Sequence, residues 1–173
     1  MSSRAAIVTS AEQVFDRHGF AATGMDRLTA AAGVSTRTLY KHVGSKTGLM
    51  AAVLELRMER FFVQFDVDSV DALFTAFEEW IAAEGARGCL FLRALAETGG
   101  LTPEVADVVA AYRERLREML GRIVVHETGH DDGDLTDQLL VIFEGMTSTA
   151  SYLGPRAVTA ARGAAALVLG RPR

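Results

Sequence analysis

Residues 25–46 read MDRLTAAAGVSTRTLYKHVGSK, and this stretch decides the fold. A helical run from Met25 to Ala32, with Leu28 and Ala32 turned inward, stops at Gly33, where a positive φ costs glycine least. Ser35 can then cap a second short helix reaching Lys41 or His42, and Gly44 ends it. Two short helices joined by such a turn form a helix-turn-helix, whose second helix offers its polar face to the DNA major groove. With Val34, Leu39 and Val43 inward, the outward set is Ser35, Thr36, Arg37, Thr38, Tyr40, Lys41 and His42. Arg37 can pair with a guanine edge, and Thr36 and Thr38 can reach a base or phosphate. Tyr40 can bond a phosphate through its hydroxyl. Lys46, at the start of the next helix, meets the DNA backbone where the helix dipole also favours an anion. On spacing alone, a helical hairpin with a solvated charged face in an unrelated bundle is the other reading.

Charge supports the first reading. The chain of 173 residues carries a net charge of -4, which argues against a generally basic nucleic-acid binder, but the distribution is uneven. Residues 1–50 hold six basic residues against three acidic ones, a net of +3, and the remainder holds 12 against 19, a net of −7. The only two lysines, Lys41 and Lys46, lie in the basic part beside His42. A polyanion would be met there.

Outward from this stretch the periodicity is helical nearly everywhere. Ile7, Ala11, Val14, Phe15 and His18 mark a first helix ending at Gly19, and Ser45 caps a long fourth helix running to about Phe65. Val70, Leu73, Phe74, Phe77 and Trp80 mark a fifth helix ending near Gly85, and a sixth begins at Gly88 and covers CLFLRALAE. In the seventh, Thr102 caps and Pro103 occupies the first turn. Val105, Val109, Tyr112, Leu116, Met119 and Ile123 form its stripe, and Gly129 closes it. Leu135, Leu139, Ile142, Phe143 and Met146 define an eighth helix, and Pro155 opens a ninth of mostly small and aliphatic residues. No convincing strand remains. The pattern predicts an all-α chain of about nine helices, with a three-helix DNA-binding domain over residues 1–46 and a helical body over 47–173. With 49% hydrophobic residues, a single cysteine, no apolar run of membrane length and no signal-peptide pattern, a cytoplasmic protein is expected.

The stretch AAAGVSTRTLYKHVGSKTGLMAAVLE, with AEQVFDRHGFAATGMDRL before it, resembles the DNA-binding domain of the TetR family of bacterial transcriptional regulators. It carries the Gly-Val turn, the Leu-Tyr pair late in the recognition helix, a histidine two places after the tyrosine, and Ser-Lys opening helix four. The similarity is strong over roughly residues 5–58. It implies base and phosphate contacts at Ser35, Thr36, Arg37, Thr38, Tyr40, Lys41, His42 and Lys46, with Thr23 near the start of helix two. Gly24 and Asp26 depart from the family, which often has a serine or threonine cap touching phosphate at the former place. Gly48 departs too, where alanine or a charged residue is more usual.

The resemblance further implies a ligand-binding and dimerisation body whose last two helices pair with those of a second copy. The small residues of TAARGAAALVLG suit such close approach, and Ala165 is expected on that face. Phe74, Phe77, Trp80, Phe91, Tyr112, Met119, Phe143 and Met146 are candidates to line an effector pocket, although an aromatic stripe at this spacing also makes plain core. Arg93, Glu97 and Glu144 would matter if buried, because a polar ligand could satisfy them. Arg93 and Glu97 are both expected at the surface, and Arg93 and Glu144 are added to the candidate ligand set. Cys89, near the start of helix six, could act as an oxidant- or electrophile-sensing thiolate or be an inert core residue. The implied protein is a homodimeric repressor on double-stranded operator DNA, released by an unidentified small molecule, without cofactor, membrane or enzymatic role.

One motif competes. Residues 126–130, HETGH, fit the H-E-x-x-H pattern of zinc hydrolases. Such a site needs both histidines on one helical face and a third ligand. Thr136 stands where the extended motif has its third histidine, and Gly129 reads as a helix end. The sequence therefore predicts a polar loop, HETGHDDGD, with no metal. A metal-dependent hydrolase is the alternative reading, and a protein-interaction module without DNA binding is the third.

Overall fold

The computed structural model describes residues 3–170, and among them nine α-helices and no strand. They are α1 (Arg4–His18), α2 (Met25–Ala32), α3 (Thr36–Val43), α4 (Lys46–Gln64), α5 (Val70–Glu84), α6 (Leu90–Glu97), α7 (Pro103–Thr128), α8 (Gly133–Leu153) and α9 (Pro155–Val168). The all-α expectation and the helix count are met. Two boundaries differ. Helix α6 starts at Leu90, because Gly88 sits at φ 79° and cannot belong to a right-handed helix. Helix α7 runs through Thr128, so HET of the HETGH motif is helical and the polar loop shrinks to residues 129–132.

The chain forms two compact units. One takes the residues up to Phe61 together with Leu90–Tyr112; the other takes Phe62–Cys89 together with the residues from Arg113 on. Helices α4 and α7 therefore each contribute to both, and the boundary expected after residue 46 falls inside the first unit.

In the first unit α1 packs on α2 and α3, and α2 on α3. Ile7, Ala11, Phe15, Phe20, Leu28, Leu39, Leu49 and Val53 are buried there, with the Phe15 and Phe20 rings stacked at 4.7 Å. His18 lies at the surface instead of continuing the apolar stripe of α1. The same helix buries two acids. Glu12 receives the Arg57 Nε–H at 2.5 Å and lies 3.2 Å from Arg60, while Asp16 lies 3.5 Å from Arg93 and 3.9 Å from Arg57. Buried carboxylates are tolerated only with such partners.

The second unit packs α8 against α9 and α5 against α9. Arg162 of α9 lies over the Phe74 ring at 5.4 Å and reaches Asp71, Thr75 and Glu78 of α5. No helix among the described residues is long and apolar enough to cross a membrane.

Candidate functional site

Local chemistry explains how α3 is held. Gly33 adopts φ 64° and ψ 32°, and its neighbour Val34 donates its N–H to the Thr29 carbonyl at 3.1 Å, closing α2. Ser35 caps α3, its Oγ accepting the Thr38 N–H at 3.1 Å and lying 2.9 Å from the Thr38 hydroxyl. Ser45 caps α4 in the same way, accepting the Gly48 N–H at 2.8 Å. Leu39 is the fully buried anchor of α3, while Val34 and Val43 are half-buried.

The polar face that results is close to the expected one. Thr36, Arg37, Tyr40 and Lys41 are exposed; Thr38, His42 and Lys46 are half-buried. Ser35 is exposed, but it shares its hydroxyl with the cap and Thr38. Arg37 and Lys41 lie four residues apart and so on one helical face. Neither they nor Lys46 pairs with an acid among the described residues, and no acidic residue occurs between Asp26 and Glu55. This is a local cation surplus with no internal counter-charge, on a chain that is acidic overall.

Thr23 is corrected. It is fully buried, and its hydroxyl donates to the Gly19 carbonyl at 2.6 Å. Its side chain builds the turn before α2 and does not face outward. Gly24 is the cap residue of α2 and supplies no side-chain hydrogen bond.

The candidate effector residues fall into two groups in different units. In the second unit Phe65 meets Trp80 at 6.0 Å and Phe143 at 5.8 Å, and Phe77 meets Phe143 at 5.8 Å, all edge to face. Phe74, Met119 and Met146 are also buried. Glu144 on α8 is half-buried, and desolvation raises its pKa above the usual carboxylate value, with Arg113 opposing the rise. In the first unit Phe91 and Tyr112 stack at 3.8 Å, and Phe61 meets Tyr112 edge to face at 5.6 Å. Arg93 belongs to the Asp16 pair and also donates to the Asp16 backbone carbonyl at 3.0 Å, so its charge is already matched within the protein. Sequence reasoning missed the ring contacts of Phe61 and Phe65, which stand among Arg57, Glu59, Arg60 and Gln64 at the end of α4 and just beyond it, where no apolar stripe singles them out. It also missed the buried acids, though Glu12 and Asp16, four apart beside Ala11 and Phe15, were a legible sign.

The outer faces of α8 and α9 leave apolar side chains in water. Val141 is 72% exposed, Tyr152 74% and Leu167 55%. Val141, Ile142, Ala164 and Val168 line an open groove with Asp134, Asp137 and Gln138 at its polar edge. Ala165 is corrected: it is fully buried within the unit and does not lie on this face.

The HETGH motif is taken apart by its own geometry. Gly129 adopts φ 80° and ends α7 between the two histidines, so they do not share one helical face. His126 lies 3.9 Å from Asp68, and the His130 ring is 3.2 Å from the Thr128 carbonyl. Glu127 accepts the Val70 backbone N–H at 2.9 Å.

Comparison with known proteins agrees with the architecture. Residues 7–53 match the model described as bacterial regulatory proteins of the tetR family, and residues 67–155 match a tetracyclin repressor-like C-terminal domain. The chain belongs to the TetR family. It is 34% identical over 80 residues to an HTH-type transcriptional repressor of Streptomyces coelicolor, SCO4008; the aligned segment covers 46% of this chain and 39% of that protein. The structure of SCO4454, a TetR-family regulator from S. coelicolor, superposes with a TM-score of 0.83 at 25% identity, covering 96% of this chain and 94% of that one. Salmonella enterica GusR gives 0.73 at 25% identity, covering 96% and 93%.

Proposed function

We propose that the protein is a homodimeric transcriptional repressor that binds double-stranded operator DNA through α3 and the start of α4 and is released by a small molecule. The observation that carries this reading is the trio Arg37, Lys41 and Lys46, cations without an acidic partner among the described residues, on the second helix of a helix-turn-helix and the start of the helix that follows it. Lone surface cations gain little within the protein but are well placed to neutralise phosphates or read a base edge. Thr36, Thr38, Tyr40 and His42 supply the remaining donors, and Ser35 keeps the helix start in register.

Dimerisation is supported by the exposed apolar strip of α8 and α9, which a second copy would cover. Operators read by two such helices repeat at about one DNA turn, roughly 34–36 Å. An effector acts by binding one conformation better than another. Three chain crossings join the units, at residues 61–62, 89–90 and 112–113, two of them inside continuous helices, which gives a route for that difference to reach α3. Phe74, Phe77, Trp80, Met119, Phe143 and Met146 around Glu144 are the candidate effector contacts of the second unit, and Phe91 and Tyr112 those of the first. The half-buried carboxylate of Glu144 favours a ligand with a hydrogen-bond donor or positive charge. No enzymatic activity is read from the chain. Footprinting on DNA flanking its own gene tests the function: a protected, roughly palindromic site is expected, and binding indifferent to sequence would overturn the reading.

A further inference from the structure

Glu97 ends α6 far in sequence from the helix-turn-helix, yet its Oε2 accepts two consecutive backbone N–H groups there, from Phe20 at 2.6 Å and Ala21 at 2.8 Å. Those amides belong to the turn that joins α1 to α2. One turn back along α6, on the same face, Arg93 holds the end of α1 through the Asp16 carboxylate at 3.5 Å and its carbonyl at 3.0 Å. The turn is shaped around this carboxylate. Gly19 has φ 81°, and a Cβ built on it would lie 2.9 Å from Glu97 Oε2. Thr23 closes the other side by donating to the Gly19 carbonyl.

We propose that Glu97, supported by Arg93, is a positioning residue for DNA recognition: it fixes the α1–α2 turn and so the direction in which α2 and α3 leave α1. A carboxylate facing two adjacent amides makes charge-assisted bonds, stronger than neutral ones. Removing it leaves two turn amides without this acceptor and nothing else on α6 to replace it. The surface cations of α3 are untouched, so their attraction to phosphate persists while their register against the bases is lost. The inference rests on α3 being the DNA-reading helix.

The test uses the full chain with Glu97→Ala and Glu97→Gln, reading amide hydrogen exchange at Phe20 and Ala21 and affinity for the footprinted site and for random DNA. Thermal unfolding is followed alongside. In Glu97→Ala both amides should exchange at least about tenfold faster, and affinity for the specific site should fall about tenfold with random DNA little changed. Glu97→Gln, whose amide oxygen can accept the same two N–H groups, should recover most of the loss. If the alanine variant unfolds, Glu97→Asp, whose shorter side chain draws the carboxylate back from the two amides while keeping its charge, should give the same selective loss. Faster amide exchange with unchanged specific affinity would overturn the positioning role, as would a glutamine variant no better than alanine. Unchanged exchange in the alanine variant would overturn the clamp itself. Should the wild type bind no DNA, the functional reading fails, and this inference with it, while the exchange data still report the clamp.

Discussion

Glu127 of α7 accepts the backbone N–H of Val70, the first residue of α5, at 2.9 Å. The first N–H groups of a helix have no internal partner, so a carboxylate placed there stabilises α5 by satisfying one and by meeting the positive end of its dipole. Ser69 satisfies another, its Oγ accepting the Ala72 N–H at 3.3 Å. The glutamate that would polarise water in a zinc hydrolase is here a helix cap. Replacing it with alanine should lower stability by about 1–2 kcal/mol, and with glutamine by less, since an amide oxygen still accepts. Urea unfolding measures this. Equal stability of wild type and Glu127→Ala would show that the bond contributes nothing.

Gly48 presents a conflict between two effects whose sizes can be compared. In the first turn of α4, alanine is favoured over glycine by about 1 kcal/mol on helix propensity. A Cβ here would, however, lie 2.5 Å from the Val43 carbonyl oxygen and 3.2 Å from Ser45 Oγ. That oxygen is backbone at the end of α3 and cannot swing aside, so the short α3–α4 link must shift, at a typical overpacking cost of about 1–3 kcal/mol. Gly48→Ala should therefore be destabilising on balance and should weaken DNA binding by moving Lys46 and α3. A more stable variant with wild-type affinity would contradict the clash.

Helices α2 and α3 were legible almost to the residue, because Leu28 and Leu39 mark buried faces and Ser35, Gly33 and Gly44 mark ends by chemistry that acts locally. The exposed cations of α3 follow from the same local pattern. Thr23 was misplaced because its burial depends on a bond to Gly19 that spacing alone does not reveal. Glu97 is exposed, as its sequence suggests, and Arg93 is half-buried, but their ties to the end of α1 and its turn could not be read, because what they hold lies more than seventy positions away and no local period encodes a partner so remote. Ala165 failed for a related reason: α9 is apolar on both faces, and only packing decides which one its own chain covers.

Glu144 gives a pH dependence with a definite sign. Burial raises its folded-state pKa above the unfolded value, with Arg113 opposing. Stability associated with the protonated group is then fully present below the unfolded pKa and is lost as pH rises through the folded one. Glu144→Gln removes that loss. The variant should match wild type in acid and become relatively more stable towards neutral pH, read from denaturation midpoints across the range. A constant offset at every pH would mean that ionisation of Glu144 is not the cause.

The outer face of α8 and α9 offers a cleaner test of assembly than Ala165, whose replacement would damage the interior. Val141 is exposed and lines the groove with Ile142, Ala164 and Val168. If a second copy covers it, Val141→Glu buries an unpaired charge on the two-fold-related surface of both partners, which is costly. Light scattering should find a dimer for wild type and a monomer, still helical, for the variant at micromolar concentration. A monomeric wild type would sink the assembly proposed here.

Two residues of the DNA face should fail in different ways, and the difference tests the interface at its centre. Lys46 sits at the first position of α4, half-buried and without an acidic partner among the described residues, as a backbone contact would require. Lys46→Ala should weaken specific and random DNA alike and reduce the salt dependence by about one unit per subunit, the loss of one counterion-releasing contact. Arg37, exposed in the first turn of α3, is placed to meet a base edge. Arg37→Ala should cost about 1–3 kcal/mol on the operator and much less on random sequence, so that discrimination falls along with affinity. Binding isotherms over a salt series separate the two. If the lysine variant loses only specificity and the arginine variant loses only salt dependence, their roles are exchanged; if neither changes binding, α3 and the start of α4 are not the recognition surface.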